Sequence, residues 1–173
     1  QPLETGEVSI ARANHRITYP ARFMLIAATN PCRCGHASDP GYACKRGPNV
    51  RCAADYQMRL SGPLLDRIDL HVEVTPVPFN ELSSSKNSDN STLIRERVIK
   101  AREMQAERYK NNPGIYCNAQ ISSKMLKEIC VIDNVGQNLL KTAMEKLNLS
   151  ARAYDRILKV SRTIADLSGS EKI

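Results

Sequence analysis

Residues 23–36 read FMLIAATNPCRCGH. The unbroken apolar run from Phe23 to Ala28 has the pattern of a strand covered on both faces, as in a parallel sheet. It ends in Thr29 and Asn30, and Pro31 and the first cysteine follow at once. In open α/β sheets, ligands sit outside the carboxyl ends of the strands. Asn30 stands at such an end, and its amide can both donate and accept hydrogen bonds, which suits orienting a water near a phosphate. An asparagine that merely caps a turn before a proline fits the same spacing.

Upstream, EVSIA (7–11) and RITYP (16–20) read as two short strands, and Arg-Ala-Asn-His between them supplies turn chemistry. Downstream, LSGPLLDRIDLHVEVTPVP (60–78) begins with a short helix that has Pro63 near its start. Leu70 to Val74 then alternates as a strand should. NELSSSKNSDNST (80–92) has the composition of a solvated linker. Beyond it the pattern is helical. Leu93, Ile94, Val98, Ala101 and Met104 mark one face of a first helix with charges on the other, NNPG breaks it, and three further helices follow. Ser150 is the expected N-cap of the last. The fold class is therefore α/β: a partial α/β core over 1–78, a linker over 79–92 and an all-helical domain over 93–173.

Four of the six cysteines, Cys32, Cys34, Cys44 and Cys52, fall within 21 residues, whereas Cys117 and Cys130 lie far away. A secreted disulfide scaffold spreads its cysteines more evenly. Four clustered thiolates suit tetrahedral zinc, and a site closed by four protein ligands is structural. His36 could replace one cysteine, and free buried thiols or a redox pair fit the same count. The spacing departs from the commoner Cys-x₂-Cys knuckle.

The net charge is +7, with 15 arginines against 10 lysines. That balance favours anionic partners such as nucleic acid or nucleotide phosphates. No apolar run is long enough to cross a bilayer, and no leader pattern opens the chain. The expected location is cytoplasmic, with no membrane partner.

Taken in order, QPLETGEVSIARA, FMLIAATNPCRCG, LSGPLLDRIDLHVEV and LSARAYDRILKVSRTIADL resemble the carboxyl-terminal half of the magnesium-chelatase-like AAA+ ATPases, and most of all the competence-related ComM (YifB) subfamily. The resemblance implies a partial AAA+ module followed by a helical lid, in a homo-oligomeric six-membered ATPase ring that acts on DNA in branch migration. It implies that Asn30 is sensor 1, Arg67 in LLDRID the arginine finger and Arg152 in LSARAYDR sensor 2, with Arg59 and Arg156 as second choices. An arginine suits the last two roles because it is always charged and forks onto phosphate oxygens. Each of these arginines could instead serve as a solvated surface charge. The hairpin matches the pre-sensor-1 hairpin of ring helicases, which implies DNA contacts for Arg12, His15 and Arg16 near its tip.

Two parts of that family's chemistry are absent from these 173 residues. There is no Gly-x-x-x-x-Gly-Lys-Ser/Thr phosphate loop, and no Gly-Lys pair at all. There is no apolar run ending in Asp-Glu to hold magnesium. ATP and Mg are therefore expected only in a complete module, with an amino-terminal half carrying Walker A and B as partner. Alone, the chain is expected to be inactive as an ATPase. The expectations that compete with a split or truncated ATPase are a stand-alone zinc-bearing nucleic-acid-binding module and a degenerate remnant. Missing core strands should also leave an exposed sheet edge and apolar surface.

Overall fold

The computed structural model describes residues 2–37, 52–77, 79–82 and 89–173. Contacts divide the chain into two compact units, Gln1–Ser83 and Ser84–Ile173. The result is a mixed α/β chain with one small sheet and several helices.

The amino-terminal unit opens with a single helical turn, α1 (Pro2–Thr5), and an antiparallel hairpin of β1 (Glu7–Arg12) and β2 (His15–Pro20). The expected turn is there, tightened to Ala13 and Asn14, because Arg12 and His15 pair as the last rung of the ladder. Ala13 carries the left-handed backbone, with φ +49°. The short helices α2 (Cys52–Gln57), α3 (Gly62–Leu65) and α4 (Phe79–Leu82) complete the described part. Helix α3 starts where the sequence marks it: Ser61 caps the Leu64 amide and proline occupies the first turn.

The expected parallel sheet is not formed among the described residues. Neither 23–28 nor 70–74 carries a strand, and the hairpin is the whole sheet. A strand exists only through hydrogen bonds to a neighbour, and neither segment has a ladder partner in the described chain. Phe23, Met24, Leu25, Ile26, Leu70, Val72 and Val74 are accordingly exposed, with Met24 at 82% and Val74 at 86%.

The carboxyl-terminal unit is helical, as its periodicity requires. Its helices are α5 (Ser91–Tyr109), α6 (Ser123–Ile129), α7 (Asn134–Lys146) and α8 (Ala151–Leu167), with a 3₁₀ turn at Asn118–Gln120. Each α-helix here has a side-chain N-cap: Asn90, Ser122, Asp133 and Ser150 accept from the amides of Leu93, Met125, Gly136 and Ala153. NNPG does end α5, and Gly114 supplies a positive φ of +87° there. The core gathers Tyr109, Ile121, Leu126, Cys130, Leu140 and Leu158, and the final residue, Ile173, packs against it.

One helix face differs from its expected pattern. In α5 the buried stripe is Ala101, Gln105 and Tyr109, while Leu93, Ile94 and Val98 stay about half exposed. The partner of α5 is α8, and it covers a stripe of i, i+4 and i+8 residues near the end of α5 that includes a polar side chain.

Candidate functional site

Cys32 and Cys34 lie on the turn that follows residues 21–30, and Cys52 is the first residue of α2. Their three sulfurs all lie within 4.8 Å of one another. The Sγ atoms of Cys32 and Cys34 are 3.0 Å apart, well beyond the bond length of about 2.05 Å of a disulfide, and all three thiols are free. Gly35 closes the turn with φ +84°, a conformation that suits glycine, and its amide donates to the Cys32 carbonyl at 3.1 Å. Gln57, at the end of α2, reaches back to the Pro31 carbonyl at 3.4 Å.

The surroundings of Cys32 favour its anion. The Cys34 thiol hydrogen bond is the largest influence, burial opposes it, and the backbone amides of Cys34, His36 and Ala37 add to it. The net effect brings the Cys32 thiol down to about 7. Soft anionic sulfur is the donor that zinc takes, and zinc–sulfur bonds of about 2.3 Å place tetrahedral ligands roughly 3.8 Å apart. With one pair at 3.0 Å and all three sulfurs within 4.8 Å of one another, small side-chain shifts reach that spacing, so this donor set fits a metal ion. His36 is not among the clustered ligand atoms. Cys44, expected as the fourth ligand, lies outside the described residues.

Asn30 is exposed at the end of the 21–30 segment, where the Thr29 hydroxyl donates to the Asn30 carbonyl at 3.3 Å. Arg67 follows α3 and folds back on it, with Nη1 donating to the Pro63 carbonyl at 2.6 Å. Its Nε lies 3.2 Å from Glu4 Oε2. That distance makes a charge contact, but the N–H points elsewhere and the buried nitrogen has no aligned acceptor. Arg67 thereby borders an open groove of about 450 Å³ lined by Pro2, Leu3, Phe23, Ser61, Pro63 and Leu64. Arg59 is exposed in the turn after α2.

At the hairpin tip Arg12, His15 and Arg16 are all exposed. Cross-strand pairing puts Arg12 opposite His15 and Arg16 opposite Ala11. Because neighbouring rungs face opposite sides, Arg16 projects away from the other two. In the carboxyl-terminal unit Arg152 is exposed in the first turn of α8, and Arg156 is half-buried one turn on.

The best-connected polar cluster among the described residues was not among the expected site residues. Asp166 is fully buried and accepts from Arg108 Nη1 and Nη2 at 2.8 and 2.6 Å, from Asn118 at 2.8 Å, from Gln105 at 3.3 Å and from Arg162 Nε at 3.1 Å. Arg162, with only 3% of its side chain exposed, also donates to the carbonyls of Ser170 and Glu171. Tyr109 donates to Asn118 at 2.7 Å. Burial pushes the Asp166 carboxyl up, but the hydrogen bonds from Arg108 and Asn118 and the charges of Arg108 and Arg162 outweigh it, leaving the carboxyl below the ordinary range. The Arg162–Asp166 spacing of four is the one local signal for the cluster. Arg108 and Asn118 come from elsewhere in the chain. The cluster joins α5, the 3₁₀ turn and α8, so its evident role is to hold the helical unit together.

No helix among the described residues is long and apolar enough to cross a membrane.

Known proteins match the chain in two consecutive parts. Residues 1–82 match the profile of the magnesium chelatase subunit ChlI, and residues 88–173 match that of the ChlI carboxyl-terminal region. The competence protein ComM of Haemophilus influenzae is 44% identical over 174 aligned residues, covering 100% of this chain and 32% of the relative. The YifB protein of Escherichia coli K12 is 37% identical over 174 aligned residues, covering 100% of this chain and 33% of the relative. The chain thus spans about a third of the length of these curated relatives. With both of its units matched in order, the chain belongs to the magnesium chelatase family and is similar throughout to its ComM and YifB members.

Proposed function

We propose that these residues form the sensor and lid part of a ComM-like AAA+ ATPase that remodels DNA, and that they turn over ATP only alongside a segment carrying Walker A and B. The observation that carries the reading is the pair of segments with strand-like sequence, the apolar 23–28 and the alternating 70–74, whose large apolar side chains are exposed and which lack ladder partners among the described residues, with Asn30 just beyond the first. Such segments are what a sheet leaves when its other strands come from elsewhere. Asn30 then orients the attacking water. Arg67, released from Glu4 and Pro63, serves a neighbouring subunit as arginine finger. Arg152 serves as sensor 2. Its charge at the amino-terminal end of α8 adds to the positive end of the helix dipole instead of offsetting it, an arrangement suited to an anion. ATP and magnesium are held by the Walker segments, and zinc by Cys32, Cys34 and Cys52 with Cys44 as the expected fourth ligand, which makes its role structural.

The test is reconstitution. The 173-residue chain alone is expected to show no ATP turnover. Addition or fusion of a family segment with Walker A and B should restore it. Arg67→Ala should then reduce turnover by about a thousand-fold or more, the range of an arginine finger. Undiminished turnover in the Arg67→Ala or Asn30→Ala assembly refutes the assigned roles.

A second reading, a zinc-bearing nucleic-acid-binding module, draws on the exposed cations of the hairpin tip. Under it the chain alone binds DNA with an affinity that falls steeply with salt, and Arg12→Ala with Arg16→Ala flattens the slope by about one to two. Salt-insensitive binding, or none, removes this reading.

A further inference from the structure

The burial pattern of the amino-terminal unit assigns its metal site a larger part than a local clip. Among the described residues of Gln1–Ser83, only Cys32 and Cys52 are buried, at 1% and 4% exposure. Many of its large apolar side chains, including Ile10, Ile17, Phe23, Ile26, Met58 and Val72, are exposed, and others such as Leu3, Leu65 and Ile68 are only half-buried. Its described helices span six residues or fewer, and one hairpin is the sheet among the described residues. Neither short helices nor a lone hairpin is stable in water without a packed face. The carboxyl-terminal unit differs, with its apolar core and buried ionic cluster.

We propose that a zinc ion held by Cys32, Cys34 and Cys52 serves as the core of the amino-terminal unit, so that metal binding orders this unit while the helical unit folds without it. The inference rests on the zinc reading above. The sulfurs of Cys34 and Cys52 come together across the stretch of chain that separates them in sequence, so an ion bridging them closes that loop and anchors α2 to the turn after Asn30. Loop closure is an entropic cost that metal–ligand bonds can offset. Small domains with too little apolar burial depend on such links. Asn30 precedes the first ligand by two residues, so the same ion sets where that side chain stands.

Hydrogen exchange read by mass spectrometry on the full 173-residue chain tests this, alongside metal analysis of the same sample. With about one zinc per chain, peptides from residues 2–37 and 52–77 should be protected. Chelation should speed their exchange at least ten-fold and leave peptides of α5 to α8 unchanged, and added zinc should restore protection. Cys52→Ser should reproduce the chelated pattern with the helical unit intact. Bound zinc with no change in exchange on chelation overturns the inference and leaves the zinc reading standing. Protein that takes up no zinc, even when it is added to reduced chain, overturns both.

Discussion

Replacing Asp166 by asparagine tests whether the buried ionic cluster holds the helical unit together. The substitution keeps the shape and removes the charge that two guanidinium groups face. In the native arrangement Arg108 donates twice to the carboxylate and Arg162 once, while Asn118 and Gln105 donate amide hydrogens. Asparagine presents one oxygen and one donor group to this ring of donors, so several of these hydrogens lose their acceptor. Where the amide nitrogen takes the Oδ1 position, buried Arg162 keeps only its backbone acceptors at Ser170 and Glu171. Arg108, with 21% of its side chain exposed, can recover some hydration. Breaking a buried pair by removing one partner costs about 3–5 kcal/mol. That is a large part of the roughly 5–15 kcal/mol that holds a domain folded. At about 4–8 °C per kcal/mol for a domain of this size, the melting midpoint should fall by at least about 12 °C. Far-UV circular dichroism reports it, since most of the helix lies in this unit. The companion Arg108→Gln and the double variant complete a cycle whose coupling should exceed about 1 kcal/mol. A fall below about 4 °C, with no coupling, refutes the reasoning and makes the cluster equivalent to a solvated surface pair.

Three further expectations follow from particular residues. Asp166 titrates below the ordinary carboxyl range in the folded chain, so its contribution is present above the unfolded value of about 3.9 and is lost as pH falls through the lower folded value. Acid titration of the helical signal should show this limb, and an identical limb in Asp166→Asn contradicts it. Ala13→Gly relieves a left-handed alanine at φ +49°, a strain of about 1–2 kcal/mol partly offset by glycine entropy. Hairpin exchange should therefore slow about three-fold, and faster exchange counts against the strain. Ser150→Ala removes the cap on the Ala153 amide and should cost about 1 kcal/mol in chemical denaturation, whereas no change would mean the cap is idle.

What the sequence determined alone is the part written in neighbouring residues. The turn between β1 and β2, the proline of α3, the break after α5 and the Ser150 cap all depend on interactions a few residues apart. The cysteine spacing likewise announced a cluster that three sulfurs form. Tertiary structure decided the rest, because it turns on which distant segments meet. Phe23–Ala28 carries the residues of a buried strand, yet a strand also needs an adjacent backbone, and none pairs with it among the described residues. The charges of α5 read as a solvated face, but Arg108 turns inward because α8 brings Asp166 to it. Sequence can say that a residue is able to bond. Only the fold supplies the partner.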